Sequence, residues 1–308
     1  MIRLLAGYAL CVLVAPMASA APIAMEDQSQ LKIPPAAQHA KAYFRPPQQS
    51  ELPDNAYGKM VMDGYALFVD TKRQAPQFVG NGLNCTNCHL DQGRLANSAP
   101  LWGAYTMYPA YRQKNDKVNT FAERLQGCFQ FSMNGGTPPA ADSREITALS
   151  VYAYWLSTTA PVGVELPGRG YPQVPQPAGG YDLERGAAVY EAQCALCHGN
   201  QGQGQKVGTD YVMPPLWGKD SYNWGAGMHR INTAASFIKH NMPLGKPGSL
   251  SDQQAWDVAA FINTHERPQD PRLVEGSIEK TRVKFHANDG VNAYGKIING
   301  ILIGQGIQ

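Results

Sequence analysis

The sequence predicts an all-α fold made of two similar helical domains in tandem, and three observations predict it. Cys85-Thr86-Asn87-Cys88-His89 recurs as Cys194-Ala195-Leu196-Cys197-His198. Segments with helical spacing of apolar residues flank both copies in the same order, and Val151, Ala153 and Tyr154 of the first half match Val258, Ala260 and Phe261 of the second at nearly the same offset as the motifs. A Pro- and Gly-rich stretch, 161–180, separates the halves.

Two thiols two residues apart, followed at once by an imidazole, form the pattern that attaches a c-type haem. Both sulfurs reach one porphyrin edge, and the histidine reaches the iron. A thioredoxin-like pair or half of a zinc site needs no adjacent histidine, and neither needs it twice. The expected cofactors are two covalently attached haem c groups, held by Cys85, Cys88 and His89 and by Cys194, Cys197 and His198. A haem at the centre of each domain lets little apolar sequence enclose it.

The chain has 308 residues, 44% hydrophobic and 16% charged, with a formal net charge of +2. That length fits two domains with ordinary cores. The near-neutral balance and the lack of a basic run exclude a nucleic-acid partner. Arg3, an apolar run from Leu4 to Pro16 and the small residues Ala18-Ser19-Ala20 read as a secretory signal peptide over 1–20, hence a periplasmic protein. The run is too short to span a bilayer. Cys11 would leave with the signal. Cys128 is then the one cysteine outside the haem motifs, an unpaired thiol in an oxidising compartment.

Residues 21–54 read as an extended arm, with Pro34-Pro35, Pro46-Pro47 and a short helix around 38–43. The first domain, 55–160, begins with a helix over 55–69 whose packing face carries Met60, Gly64, Leu67 and Phe68. Trp102, Tyr105, Tyr108 and Tyr111 read as haem-edge and core packing. A helix over 119–133 places Arg124 and Cys128 at i and i+4, on one face. Asn134-Gly135-Gly136 ends it, and a further helix covers 143–157. After the 161–180 linker, the second domain, 181–268, has helices over 181–191, 234–240 and 251–264. The tail, 269–308, is expected to pack on the surface; Ile297, Ile298, Ile301, Leu302 and Ile303 lie among glycines, too broken for a membrane span.

The second axial position on each iron decides its chemistry. For the second haem the candidate is Met242, in a turn before Pro243; Lys239, His240 and Met213 are rivals. A thioether suits electron transfer, and the proline stiffens the loop. For the first haem the candidate is Cys128, with Met133 and Met107 as rivals. Cys128 stands where the repeat expects a ligand, and iron would hold it as thiolate.

The segment from Arg124 to Gly135 (Arg-Leu-Gln-Gly-Cys-Phe-Gln-Phe-Ser-Met-Asn-Gly) resembles the distal-cysteine stretch of the dihaem thiosulfate dehydrogenases. Pro214-Pro215-Leu216-Trp217-Gly218, the stretch from Ser221 to Met228, and Asn241-Met242-Pro243 resemble that family's second domain. The likeness spans about residues 55–268. It implies two class I cytochrome c-like domains. The first would carry a His/Cys-ligated catalytic haem, His89 and Cys128. The second would carry an electron-exit haem, His198 and Met242. The implied reaction couples two thiosulfates to tetrathionate, with the reverse reduction in some members and a c-type cytochrome as electron acceptor. Lys239 lies three residues before Met242, unlike members with a lysine beside the methionine.

The residues agree with that chemistry. Thiosulfate is a dianion with a nucleophilic terminal sulfur, and a cysteine offers it a partner of its own kind. Arg124, one turn before Cys128, can hold a sulfonate with paired N–H donors. Ser132, one turn after it, can add a hydrogen bond. Arg112, with Lys114 as its fallback, can complete a cationic pocket. Competing readings are a dihaem electron carrier, a sulfur-oxidation cytochrome acting on a protein-bound sulfur, and a dihaem peroxidase. A carrier would more naturally have methionine at both irons, and a peroxidase needs a readily vacated position.

Overall fold

The computed structural model describes residues 43–112 and 115–307. The expected signal peptide, most of the expected arm, all but Tyr43 of the helix expected around 38–43, and Lys114 lie outside the described residues. The span Lys41–Gln308 is one compact unit, and inside it two hydrophobic cores are built on one plan.

The first core rests on α1 (Ala56–Val69), α2 (Phe121–Gly127) and α3 (Arg144–Leu156). Each start is capped as its sequence dictates. Asn55 and Ser143 accept from backbone N–H groups three residues on. Thr120 and Glu123 form a reciprocal capping box, each side chain bonding the other residue's backbone. Of the expected packing face of α1, Gly64, Leu67 and Phe68 are buried, while Met60 is only partly so and its neighbour Val61 takes the inward position. The second core rests on α4 (Leu183–Gln193), α5 (Ile231–Asn241) and α6 (Asp252–Asn263), capped at Asp182 and Ser251 by the same device.

The repeat is structural as well as sequential. A Cβ on Gly64 would stand 2.1 Å from the Ala148 carbonyl oxygen, and one on Gly186 would stand 2.2 Å from that of Asp257. In both halves, therefore, the first helix crosses the last at backbone contact, which only glycine allows.

Two expectations change in detail. The helix over 119–133 is α-helical only to Gly127; Cys128–Ser132 then forms one π-turn, with Met133 N–H donating to the Cys128 carbonyl at 2.9 Å. The wider turn re-aims the side chains that follow. The segment expected over 234–240 starts earlier, because Ile231 is buried together with Ala234, Ala235, Phe237 and Ile238. Strands are confined to three short antiparallel pairs, Ala110–Arg112 with Lys117–Asn119, Gln205–Val207 with Asp210–Met213, and Ile297–Ile298 with Ile301–Leu302.

The cores share a border. Tyr222 and Ala226, from the second half, are buried in the first core. Leu90, next to His89, packs on the second. Tyr171, in the linker, donates to the Cys88 carbonyl at 2.9 Å and meets Phe237 of α5 edge-on at 5.4 Å. Asn241, the last residue of α5, donates across to the Asn97 carbonyl at 3.0 Å. The tail packs as expected, with Tyr294 and Ile303 buried around Trp224. The end of the arm packs too, Phe44 lying 5.5 Å from the Trp102 ring. Among the described residues no helix is long and apolar enough to cross a membrane.

Candidate haem pockets and active site

Both Cys-x-x-Cys-His segments close on a core in the same way. His89 Nδ1 lies 2.7 Å from the Ala99 carbonyl oxygen, and His198 Nδ1 lies 2.9 Å from that of Pro214. A carbonyl cannot donate, so Nδ1 carries the hydrogen and Nε2 keeps its lone pair. This outer hydrogen bond fixes tautomer and ring orientation for a metal ligand. Burial, with a smaller contribution from the Arg124 charge, pushes His89 down to about 4 against the pull of the Ala99 hydrogen bond. Burial lowers His198 as well. Both imidazoles are therefore neutral near pH 7, as iron ligation requires.

The thiols behave unlike a redox pair. Burial pushes Cys85 and Cys88 up to about 12 and Cys194 up to about 11. Disulfide-exchange motifs work by the opposite shift.

In the first half these groups face a cavity of about 250 Å³ with an apolar wall that includes Phe68, Leu101, Phe121 and Leu149. Cys85, Cys88 and His89 lie on its lining with Cys128, Arg124 and Ser132. An apolar slot with two thiols, one neutral imidazole and two further sulfurs, those of Cys128 and Met133, fits a haem c. Arg124 Nη1 donates to Cys128 Sγ at 2.8 Å, and the electrostatic influence of Cys128 raises the guanidinium's pKa although burial lowers it. Arg124 is partly buried, so its charge is less screened than one in open water.

The sequence candidates are sorted by this geometry. Arg124 and Ser132 share the cavity with Cys128. Arg112 does not; it lines an adjoining outer pocket with Met107, Tyr111 and Arg230. It reaches the inner cavity through Tyr108, whose hydroxyl accepts from Arg112 Nη1 at 2.6 Å and which lines both spaces. Of the rival sulfurs, Met133 lines the inner cavity and Met107 only the outer pocket.

Sequence reasoning missed Arg169. It lies between Gly168 and Gly170 in the linker, lines both spaces, and is pinned by a 2.7 Å hydrogen bond to the Gly103 carbonyl and a 2.5 Å ion pair with Glu165. A cation between two glycines with positive φ was the signal available. It also missed the roles of Tyr171, which ties the linker to Cys88, and of Asn241, which ties the end of α5 to Asn97.

In the second half Met242 caps α5 and packs half-buried on the second core. Lys239 is turned away, bonded to the Leu250 carbonyl at 2.6 Å and to Asp252 at 3.0 Å. His240 is engaged with the Pro172 carbonyl, and burial lowers its pKa.

Two helical cores, each closing on a Cys-x-x-Cys-His segment with its histidine neutral and oriented, define an all-α protein of two cytochrome c domains. Residues 77–162 match the family described as SoxA/TsdA, cytochrome c domain, and residues 182–262 match cytochrome c oxidase, cbb3-type, subunit III. The thiosulfate dehydrogenase of Stutzerimonas stutzeri (strain A1501) is 68% identical over 292 residues, 95% of each chain. That of Thiomonas intermedia (strain K12) is 54% identical over 264 residues, 86% of this chain and 83% of the relative. The solved thiosulfate dehydrogenase TsdBA from Marichromatium purpuratum superposes with a TM-score of 0.83 at 50% identity, covering 87% of this chain and 59% of that one. The chain belongs to the thiosulfate dehydrogenase family, and it is an enzyme rather than a passive electron carrier.

Proposed function

We propose that this enzyme oxidises thiosulfate in the periplasm by coupling two molecules to tetrathionate at Cys128, with a c-type cytochrome as electron acceptor. The observation that carries this reading is the Arg124–Cys128 contact inside the first haem cavity. A half-buried guanidinium and a cysteine sulfur share one wall of that cavity, which supports the reading because a dianion with a terminal sulfur needs a cation and a sulfur partner together. In this reading the catalytic domain spans 55–160 and the relay domain 181–268.

Cys85 and Cys88 would hold the first haem c by thioethers, and His89 and Cys128 would supply its iron ligands. Cys194 and Cys197 would hold the second, with His198 and Met242 supplying its iron ligands. When bound, each haem c takes one electron, so the pair accepts the two that the coupling releases.

Arg124 holds the sulfonate of the first thiosulfate with its fork of donors. Ser132 adds a hydrogen bond, while Arg112 and Arg169 attract the anion through the outer pocket. The terminal sulfur forms a bond with Cys128 Sγ, and two electrons leave. The terminal sulfur of a second thiosulfate then attacks the thiosulfate-derived sulfur of that adduct. The bond to Sγ breaks, its electron pair returns to Cys128 as thiolate, and tetrathionate leaves. Run backwards, the same steps reduce tetrathionate. Leu196 and Leu244, both strongly exposed, offer apolar contact for an acceptor beside the second haem segment.

The test is low-temperature electron paramagnetic resonance and near-infrared absorption of the oxidised protein beside a Cys128→Met variant. A low-spin thiolate signal that vanishes in the variant, together with loss of thiosulfate-driven reduction, supports the reading. Two thiolate-free signals in the parent protein refute it.

A further inference from the structure

Beyond the haem pockets, the tail and the second domain bring together two buried histidines and a buried carboxylate that the sulfur chemistry does not use. His229 precedes α5, and His286 and Asp289 belong to the tail. His229 Nε2, His286 Nδ1 and an Asp289 oxygen lie within 4.8 Å of one another. His229 Nε2 is 3.2 Å from His286 Nδ1 and 3.8 Å from Asp289 Oδ2.

The outer hydrogen bonds decide which atoms carry protons. His229 Nδ1 faces the Ala226 carbonyl at 2.5 Å, and His286 Nε2 faces the Asp270 carboxylate at 2.9 Å. Neither acceptor can donate, because Asp270 is held ionised by Arg272 as well. Both ring hydrogens therefore point outward. The atoms that face one another are three electron-pair donors: Nε2, Nδ1 and Oδ2. Asp289 is 7% exposed, and its Oδ2 accepts no hydrogen bond among the described residues. Arg230 orients Asp289 through the other oxygen, Oδ1, at 3.1 Å.

We propose that His229, His286 and Asp289 bind a divalent first-row cation of the zinc class, which fastens the tail to the second haem domain. Two ligand nitrogens at about 2.0–2.1 Å from a tetrahedral ion stand roughly 3.3 Å apart, close to the observed N···N distance. Each ligand is oriented from behind, by Ala226, Asp270 or Arg230, as metal ligands are. The two-nitrogen, one-oxygen set suits zinc rather than calcium or magnesium. The fourth position falls to a solvent molecule. The Arg230 charge opposes the cation and moderates its affinity. The consequence reaches α5, because Ile231 N–H donates to the Val291 carbonyl at 2.7 Å, beside the proposed site.

The experiment uses the full-length protein with both haems. It is dialysed against zinc and then against buffer, and metal is counted by mass spectrometry against haem iron. His286→Gln and Asp289→Asn variants run alongside, their haem spectra serving as a check on folding. The expected result is about one zinc per chain in the parent, a loss of at least about tenfold in each variant, and a higher thermal midpoint with zinc in the parent only. X-ray absorption at the zinc edge should show two imidazole nitrogens. A parent that retains no more zinc than either variant overturns the proposal, and a proton shared between the two rings then occupies the space. Zinc bound equally by all three proteins overturns it as well, because the ion then lies elsewhere.

Discussion

Arg124 and Cys128 are one helical turn apart, and the guanidinium touches the sulfur at 2.8 Å where α2 gives way to the π-turn. One side chain thus faces both the cysteine and the space a sulfonate would enter. Arg124→Ala should lower thiosulfate-dependent turnover by about 100-fold, the typical cost of one transition-state donor. Arg124→Lys keeps the charge without the paired donors and should recover only part of it. Steady-state reduction of an acceptor cytochrome reads both. Equal rates in parent and Arg124→Ala would remove the residue from the active site.

The start of α2 is sensitive to acid. The hydrogen bond from Lys117, followed by those from the Thr120 backbone and Asn119, holds Glu123 down to about 2 although burial works the other way. Its ordinary value is about 4.3. A depressed carboxylate contributes stability that is present above the unfolded value and lost as pH falls toward the folded one. Glu123→Gln should therefore narrow the stability difference from the parent between about pH 4.3 and pH 2. Denaturant unfolding at several pH values measures it, and a gap that widens toward acid would contradict the assignment.

The two helix crossings should fail alike. In Gly64→Ala or Gly186→Ala the new methyl meets a backbone carbonyl, which cannot rotate aside as a side chain can. Each substitution should cost about 1–3 kcal/mol or more through forced helix separation. Thermal unfolding followed at the haem band reports it. A neutral Gly186→Ala would mean that the second crossing is looser than the first.

Lys239 and Met242 should separate cleanly. Lys239 is committed to Leu250 and Asp252, so Lys239→Ala should leave the second haem's oxidised and reduced spectra unchanged. Met242→Ala should alter its spectrum and shift its potential, as loss of a thioether ligand does. A change of axial ligand on reduction in the parent that disappears in Lys239→Ala would reverse this ranking.

Much of this was legible because the determinants are local. The Cys-x-x-Cys-His segments, the helix starts at Asn55, Ser143 and Ser251, and most of the buried stripe of α1 are set by residues a few positions apart. The two domains and Arg124 beside Cys128 followed from those. The π-turn at Cys128 was not legible, since an extra residue in a helical turn is decided by what packs around it. Arg169 was hidden for a related reason. It sits in a stretch without periodicity, and its position comes from Gly103 and Glu165. Tyr222 stands far from the first core in sequence yet is buried in it. Sharing of side chains between the cores is a long-range property, which a repeat read half by half does not reveal.

The Asn241–Asn97 and Tyr171–Cys88 hydrogen bonds bear on how fast charge can move through the molecule. Tunnelling between two metal centres falls off exponentially with the gap, so a swinging partner spends most of its time out of range. Here both centres would hang on segments joined by part-buried polar ties and by the packing of Tyr171 on Phe237, and the gap is fixed before any substrate arrives. The internal hop should then be indifferent to solvent viscosity. A viscosity dependence of turnover would belong to the arrival of anions or to the encounter with the external acceptor.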